Sequence, residues 1–365
     1  MLKEQQNRWK LICVSTFLWG ILAHGMMIFN KFSFNDDAGL FEIGGTYSSG
    51  RGMLGVLGEA SRKLFGSEYY SLPVFNGILS ILLIAMSTAL IADLFLVQKK
   101  WWLLGLSGIM VTFPMVTSTF GYMFTAPYYF CGILMGVFGA CLSCKGKAWY
   151  GYVLGLILMA CGTGVYQANI PIFVSIILLY AIKVTTEKED ADWKNFLTTG
   201  IKSVFSCIGF MGFYFLFNKI ALWVTGTHLS DYQGINNMGV TSIRGYLHRI
   251  VIAYKEFFWP TDGTSANMYP FSTHVLYKIL LLCALLATAI MLKACWNRKK
   301  ELVLQVSVFL IFIPLAADFI YVMCEPSQVH SLMVYGSAMI FFYLAWVMEY
   351  CASKVKVQKI VRRVS

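Results

Sequence analysis

Uninterrupted apolar runs close to twenty residues long recur from one end of this chain to the other, and no other feature restricts its fold as much. Inside hydrocarbon every backbone N–H and C=O must find a partner within the protein, which leaves only helices and closed barrels. Barrel strands would alternate apolar and polar residues over about ten positions. These runs are continuous, so they predict helices. Composition agrees: 58% of residues are hydrophobic and 13% charged, about half the charged share of a soluble domain. The expectation is an all-α polytopic membrane protein with about ten transmembrane helices.

The runs cover 11–29, 72–97, 101–118, 125–143, 149–165, 170–182, 201–224, 274–292, 302–323 and 329–350. Cations fall in alternate connections. Lys3, Arg8 and Lys10 precede the first run. Lys99 and Lys100, Lys145 and Lys147, then Lys183, Lys188 and Lys194 follow later ones, as do Arg298, Lys299 and Lys300 and the tail "KVKVQKIVRRVS". The short turns around Gly121, Gln167 and Pro326 hold no Lys or Arg. This bias has one sign and predicts cytoplasmic N- and C-termini. The formal charge of +11 is therefore read as a topology signal rather than nucleic-acid affinity. The first run reads as an uncleaved signal anchor. The mixed-sign stretch 183–196 reads as a solvated internal loop.

On this topology two long connections, 31–70 and 225–273, are external. Each contains an amphipathic segment suited to lying in the membrane interface. One covers 52–65, with Glu59, Arg62 and Lys63 on its polar face. The other is "SIRGYLHRIVIAYKEFFWP", 242–260. No internal repeat or low-complexity linker divides the chain, so 1–365 reads as a single domain. The ten cysteines are scattered, and the Cys141/Cys144 pair has no second pair to complete a zinc site. No phosphate-binding glycine loop is present, which argues against an ATP-driven pump. No cofactor and no metal are expected.

The candidate chemistry gathers on the external side. Asp36 and Asp37 form an adjacent pair in a chain with only 18 acidic residues. At the membrane surface such a carboxylate can take a proton from an attacking hydroxyl, and two neighbours can split their pKa values. A solvated, idle pair is the competing reading. Tyr122, Tyr128 and Tyr129 read as interfacial anchors or sugar-stacking rings. Tyr166 and Gln167 occupy the next external turn, where the glutamine could bind a hydroxyl. Asp318 is a carboxylate near a span end, with His330 or a loop arginine as its expected partner. His330 and Glu325 share the last external turn. Asp93 is expected to meet water or Lys99, and His24 to be a hydrogen-bonded packing residue.

Four segments carry a resemblance: "FNDD", "SSGRGMLGVL", "TFPMVTSTFGYMFTAPYYF" and "GVYQANIPIF". In order and spacing, from about residue 30 to about 180, the chain resembles the bacterial GtrII-like glucosyltransferase membrane family. The second half is similar through its topology and "PSQVHSLMVYG". The resemblance implies a GT-C type glycosyltransferase of the bacterial inner membrane. It would move a sugar, glucose by family analogy, from a polyprenyl-phosphate donor to a surface or lipid-linked glycan on the external face, as in O-antigen modification. A separate donor synthase and a flippase are implied as partners. The family's acidic residue maps onto Asp36 or Asp37, and its "SGRW"-like segment onto Ser49, Gly50 and Arg51, with Gly52 in place of the aromatic. An inverting enzyme of this type needs cations for the leaving phosphate. Arg51, Arg244 and Arg249 are the candidates, because guanidinium suits bidentate phosphate contact. Arg244 and Arg249 could equally rest on anionic lipid headgroups. A transporter or flippase of lipid-linked glycans is the rival reading. It predicts broken helices near the midplane and internal symmetry, whereas the polar groups here collect on one side.

Overall fold

Helices are the only regular elements among the residues that the computed structural model describes, which are 2–30, 43–66, 72–146, 148–188, 191–230, 240–260 and 271–364. The first is α1, Leu2–Phe29. The short α2, Ile43–Ser48, leads into α3, Gly52–Phe65, and α4 follows as Pro73–Phe95. Next come α5 (Lys100–Thr112), α6 (Pro114–Phe120), α7 (Ala126–Lys145) and α8 (Trp149–Val165). The long pair is α9 (Ile170–Glu187) and α10 (Trp193–Thr225). The last group is α11 (Ile243–Phe258), α12 (Phe271–Trp296), α13 (Lys300–Ile311), α14 (Ile313–Ala317), α15 (Ile320–Met323) and α16 (Met339–Val364). Asp36 and Asp37 lie outside the described residues.

The all-helical, polytopic expectation holds. Among the described residues seven helices are long and apolar enough to cross a membrane, or eight if α5 and α6 count as one span bent by 43°. The sequence pointed to about ten, and the difference has local causes. Pro114 has no N–H to give and breaks the third run between α5 and α6. Helix α8 has 17 residues and is apolar but short. The tenth run does not begin as a helix: its first ten residues include the 3₁₀ turns Ser331–Met333 and Tyr335–Ala338, and α16 starts only at Met339.

Burial ranks the spans. The apolar window of α9 is 83% buried, whereas those of α10 and α12 are 11% and 22% buried. Helix α9 is thus the central post, and α10 and α12 turn most of their surface outward, where lipid replaces water. Lipid-facing helices gain little from the hydrophobic effect against each other, so close van der Waals packing has to hold them. The α7–α8 seam does this with small residues. A Cβ on Gly155 would stand 2.6 Å from the Gly139 carbonyl oxygen, and one on Gly139 2.5 Å from that of Gly155.

Most of the basic connections meet at one end of the bundle. There Asp93 accepts from Gln5 Nε2 (2.6 Å), Arg8 Nη2 (3.0 Å) and Trp9 Nε1 (2.6 Å), which fixes α1 to α4. Its expected partners, water or Lys99, are thus replaced by the N-terminal helix. The stretch 183–196, expected as a loop, is helical at both its ends. Helix α9 runs on to Glu187 and α10 starts at Trp193, with Lys183 buried and paired to Glu187 at 2.6 Å. Arg298 then closes the end of α9 by donating to the carbonyls of Thr186 and Lys188 and to the Tyr350 hydroxyl. Helical i,i+4 spacing explains why charges that look like a loop extend a helix instead. His24 behaves as expected, with its Nε2 2.7 Å from the Val111 carbonyl and its ring edge-on to Phe120.

Candidate active site

The opposite end of the bundle is built around a tight turn between α2 and α3. Gly50 takes φ +69°, which L-residues other than glycine rarely adopt. That turn lets the Gly50 N–H reach the Tyr47 carbonyl and the Arg51 N–H the Thr46 carbonyl, each at 3.0 Å. The Arg51 carbonyl then accepts from the Gly55 N–H at 3.1 Å and opens α3. Arg51 therefore stands at a helix start, where free N–H groups favour negative charge. Side chains from two other helices hold the turn. Gln167 Nε2 donates to the Ser49 carbonyl at 2.9 Å and lies 3.2 Å from the Tyr214 hydroxyl. That hydroxyl donates in turn to the Gly50 carbonyl at 3.1 Å.

The Arg51 side chain enters an aromatic pocket. Its Nη1 donates to the Tyr129 hydroxyl at 3.3 Å, and its guanidinium carbon lies 4.9 Å from the centre of the Tyr166 ring. The two tyrosines are buried and stacked, with centroids 4.9 Å apart and planes 13° from parallel. An arginine against a desolvated ring gains cation–π energy. Burial raises the Tyr166 phenol's pKa, against the opposing pull of Arg51, so the ring stays neutral. Burial, and then the Arg51 charge, lower the pKa of His330. The segment carrying His330 is tied down next door, where Ser118 Oγ donates to Ser331 Oγ at 2.7 Å.

The sequence-predicted residues divide accordingly. Arg51, Tyr166, Gln167 and His330 come together, and Tyr122, half-buried in the turn after α6, is near enough for its charge state to bear on Tyr166. Gln167 is turned onto backbone and Tyr214. Arg249 donates from Nη1 to the Val322 carbonyl at 3.4 Å, while Arg244 is exposed in the first turn of α11. Asp318 does not take the partner expected of it. It is buried and accepts from Ser337 Oγ at 2.9 Å, and the charge that acts on it is that of Glu256. Asp36 and Asp37, the expected bases, lie outside the described residues.

Tyr214 and the stacking role of Tyr129 were not drawn from the sequence. A signal for Tyr214 does exist: Ser206, Phe210, Tyr214 and Asn218 recur every four residues and are the buried residues of α10. Beside the turn, α3, α8 and the far half of α10 enclose a groove of about 390 Å³. It is lined by apolar groups such as Met53, Cys161, Phe217 and Val224, with Tyr214 and Asn218 among its walls. Among the described residues the buried Asn218 Oδ1 has no hydrogen-bond partner there.

Among the described residues no three His, Cys, Asp or Glu side chains cluster as a metal ion would require. Neither a curated protein nor a solved structure matches the chain. A family model does: that of the glucosyl transferase GtrII family, over residues 25–341. With most of its length matched, this chain, whose arginine-centred pocket ends a helical membrane bundle, belongs to the GtrII glucosyltransferase family.

Proposed function

We propose that this glucosyltransferase takes glucose from a polyprenyl-phosphate donor and passes it, with inversion, to a surface or lipid-linked glycan on the external face of the bacterial inner membrane. The carrying observation is Arg51, a half-buried cation at a helix start, set against a stacked pair of tyrosines and next to an apolar groove. A phosphate with a hydrocarbon tail suits both features. The charge would meet Arg51 and the N-terminus of α3, and the tail would follow the groove.

The chemistry is a single displacement. The acceptor hydroxyl attacks the anomeric carbon from the face opposite the phosphate. Asp36 or Asp37 takes the hydroxyl proton, the bond from the anomeric carbon to the phosphate oxygen breaks, and polyprenyl phosphate leaves with the electron pair. Arg51 stabilises the negative charge that grows on that oxygen, an interaction strongest in the transition state. His330 stands ready as a neutral hydrogen-bonding group beside it, and Arg244 and Arg249 add positive potential to the approach. Cations gathered at the other end of the bundle support a cytoplasmic location for that end, and hence an external pocket.

The test is turnover in nanodiscs, with polyprenyl-phosphate glucose as donor and extracted lipid-linked glycans as acceptor. Arg51→Ala is expected to lower kcat on the order of 100-fold. One of Asp36→Asn and Asp37→Asn should abolish transfer while leaving a folded protein. Wild-type turnover in Arg51→Ala would refute the phosphate assignment.

A further inference from the structure

From the hydrogen bonds around Gly50 we infer that Tyr214 and Gln167 are positioning residues, which set the Arg51 guanidinium by clamping the turn that precedes it. The inference rests on the phosphate role proposed for Arg51.

The clamp grips the two peptide groups that flank Gly50. Gln167 Nε2 holds the Ser49 carbonyl at 2.9 Å, and the Tyr214 hydroxyl holds the Gly50 carbonyl at 3.1 Å. The two side chains also meet each other at 3.2 Å. All three partners are buried, with Gln167 6%, Tyr214 4% and Ser49 7% exposed. There is no slack for a larger residue: a Cβ on Gly50 would lie 2.8 Å from Gln167 Nε2 and 3.1 Å from the Tyr214 oxygen. Arg51 is the next residue. Its N–H is fixed to Thr46 and its carbonyl to Gly55, and the clamped carbonyls of Ser49 and Gly50 fix the chain that leads into its Cα.

The source of the clamp is informative. Tyr214 comes from α10, which otherwise turns outward to lipid. Its buried stripe meets the bundle at separate points. At one, Ser206 Oγ lies 3.1 Å from the Tyr152 hydroxyl; at another, Phe210 packs edge-on against Phe173. The Tyr214 point reaches the turn before Arg51 and hydrogen-bonds it, with Asn218, four residues on, lying beside the same glycine. A phenol hydroxyl buried on a lipid-facing helix needs a partner, and here the partner is the backbone of the catalytic loop. Misplacing a reacting group by about 1 Å can cost on the order of 100-fold in rate, so a clamp of this kind has kinetic consequences well beyond its contribution to folding.

The experiment uses the full chain in nanodiscs, supplied with polyprenyl-phosphate glucose and the glycan acceptor, and reads kcat and donor KM separately. Tyr214→Phe removes one oxygen, and Gln167→Leu removes the amide at similar volume. Each is expected to lower kcat/KM on the order of tenfold or more, mainly through kcat, with little change in melting temperature. Tyr152→Phe is the control, since it removes a hydroxyl from the same α10 seam away from the turn; it should match wild type. In an Arg51→Lys background, whose flexible ammonium tolerates slack, the effect of Tyr214→Phe should shrink to within about threefold. Wild-type kinetics in both Tyr214→Phe and Gln167→Leu, beside an impaired Arg51→Ala, would overturn the inference alone. So would a loss in Tyr152→Phe as large as in Tyr214→Phe, or losses that simply multiply with Arg51→Lys. Full activity in Arg51→Ala would overturn the phosphate reading and the inference with it.

Discussion

At the scale of single residues, the pocket depends on groups whose chemistry is fixed by their neighbours. His330 is the titratable one. Burial and the nearby Arg51 charge hold its folded-state pKa below the ordinary 6.5. The unfolded chain therefore binds a proton that the folded protein resists, so His330 costs no stability above that value and costs progressively more as pH falls through it. Between about pH 7.5 and about pH 5, wild type should lose more melting temperature than His330→Gln, as read by thermal shift in detergent. Parallel curves for the two proteins would mean that His330 carries no such shift. Gly50 is the conformational hinge of the site. Gly50→Ala forces a side chain into a left-handed backbone, at about 1–2 kcal/mol, and against Gln167 and Tyr214. Transfer should fall in that variant by more than the loss of folded protein explains, measured as turnover per mole of monodisperse enzyme.

At the scale of helices, the bundle is held by contact rather than by water exclusion. The α7–α8 seam has backbone against backbone at Gly139 and Gly155. Gly155→Val would wedge the helices apart and should cost about 1–3 kcal/mol, seen as a lower melting temperature. The same substitution at Gly151, where a Cβ would meet nothing within 4 Å, should be nearly silent. Legibility in the sequence follows the same division. Uninterrupted runs such as α4, α7 and α12 were readable because continuous apolar residues admit only a helix in hydrocarbon. The 3₁₀ turns at Ser331–Met333 and Tyr335–Ala338 were not, since apolar composition says nothing of hydrogen-bond register. The extension of α9 to Glu187 was hidden for the opposite reason. Lys183 and Glu187 look like loop charges, but i,i+4 spacing pairs them along α9, with Lys183 buried and Glu187 at the exposed end. At the site, Arg51 stood out between glycines beside the acidic pair, and Tyr166 and Gln167 as polar groups in a short external turn. Tyr129 is open in the sequence between anchor and stacking ring and Tyr214 does not stand out there, because an aromatic near an interface is ambiguous between anchor and pocket until its hydroxyl's partner is known.

At the scale of the whole molecule, the charges divide the bundle into two unlike ends. One is basic and stitched by Asp93, Arg298 and the Lys183–Glu187 pair. The other holds Arg51 in its aromatic pocket with the apolar groove alongside. In the orientation we propose, which follows the positive-inside bias, the first faces the cytoplasm. A fluorescent protein that matures only in the cytoplasm should therefore glow when fused to either terminus, and a dark fusion would reverse the topology. In that proposed orientation the pocket is external, where nucleotide sugars are not supplied, so the donor proposed for Arg51 is lipid-carried. The decisive measurement gives purified wild-type protein in nanodiscs the acceptor glycan and either polyprenyl-phosphate glucose or UDP-glucose. Transfer from the lipid-phosphate donor alone, lost in Arg51→Ala, is the predicted result. Transfer from UDP-glucose, or movement of labelled lipid-linked glycan between leaflets with no transfer at all, would contradict it.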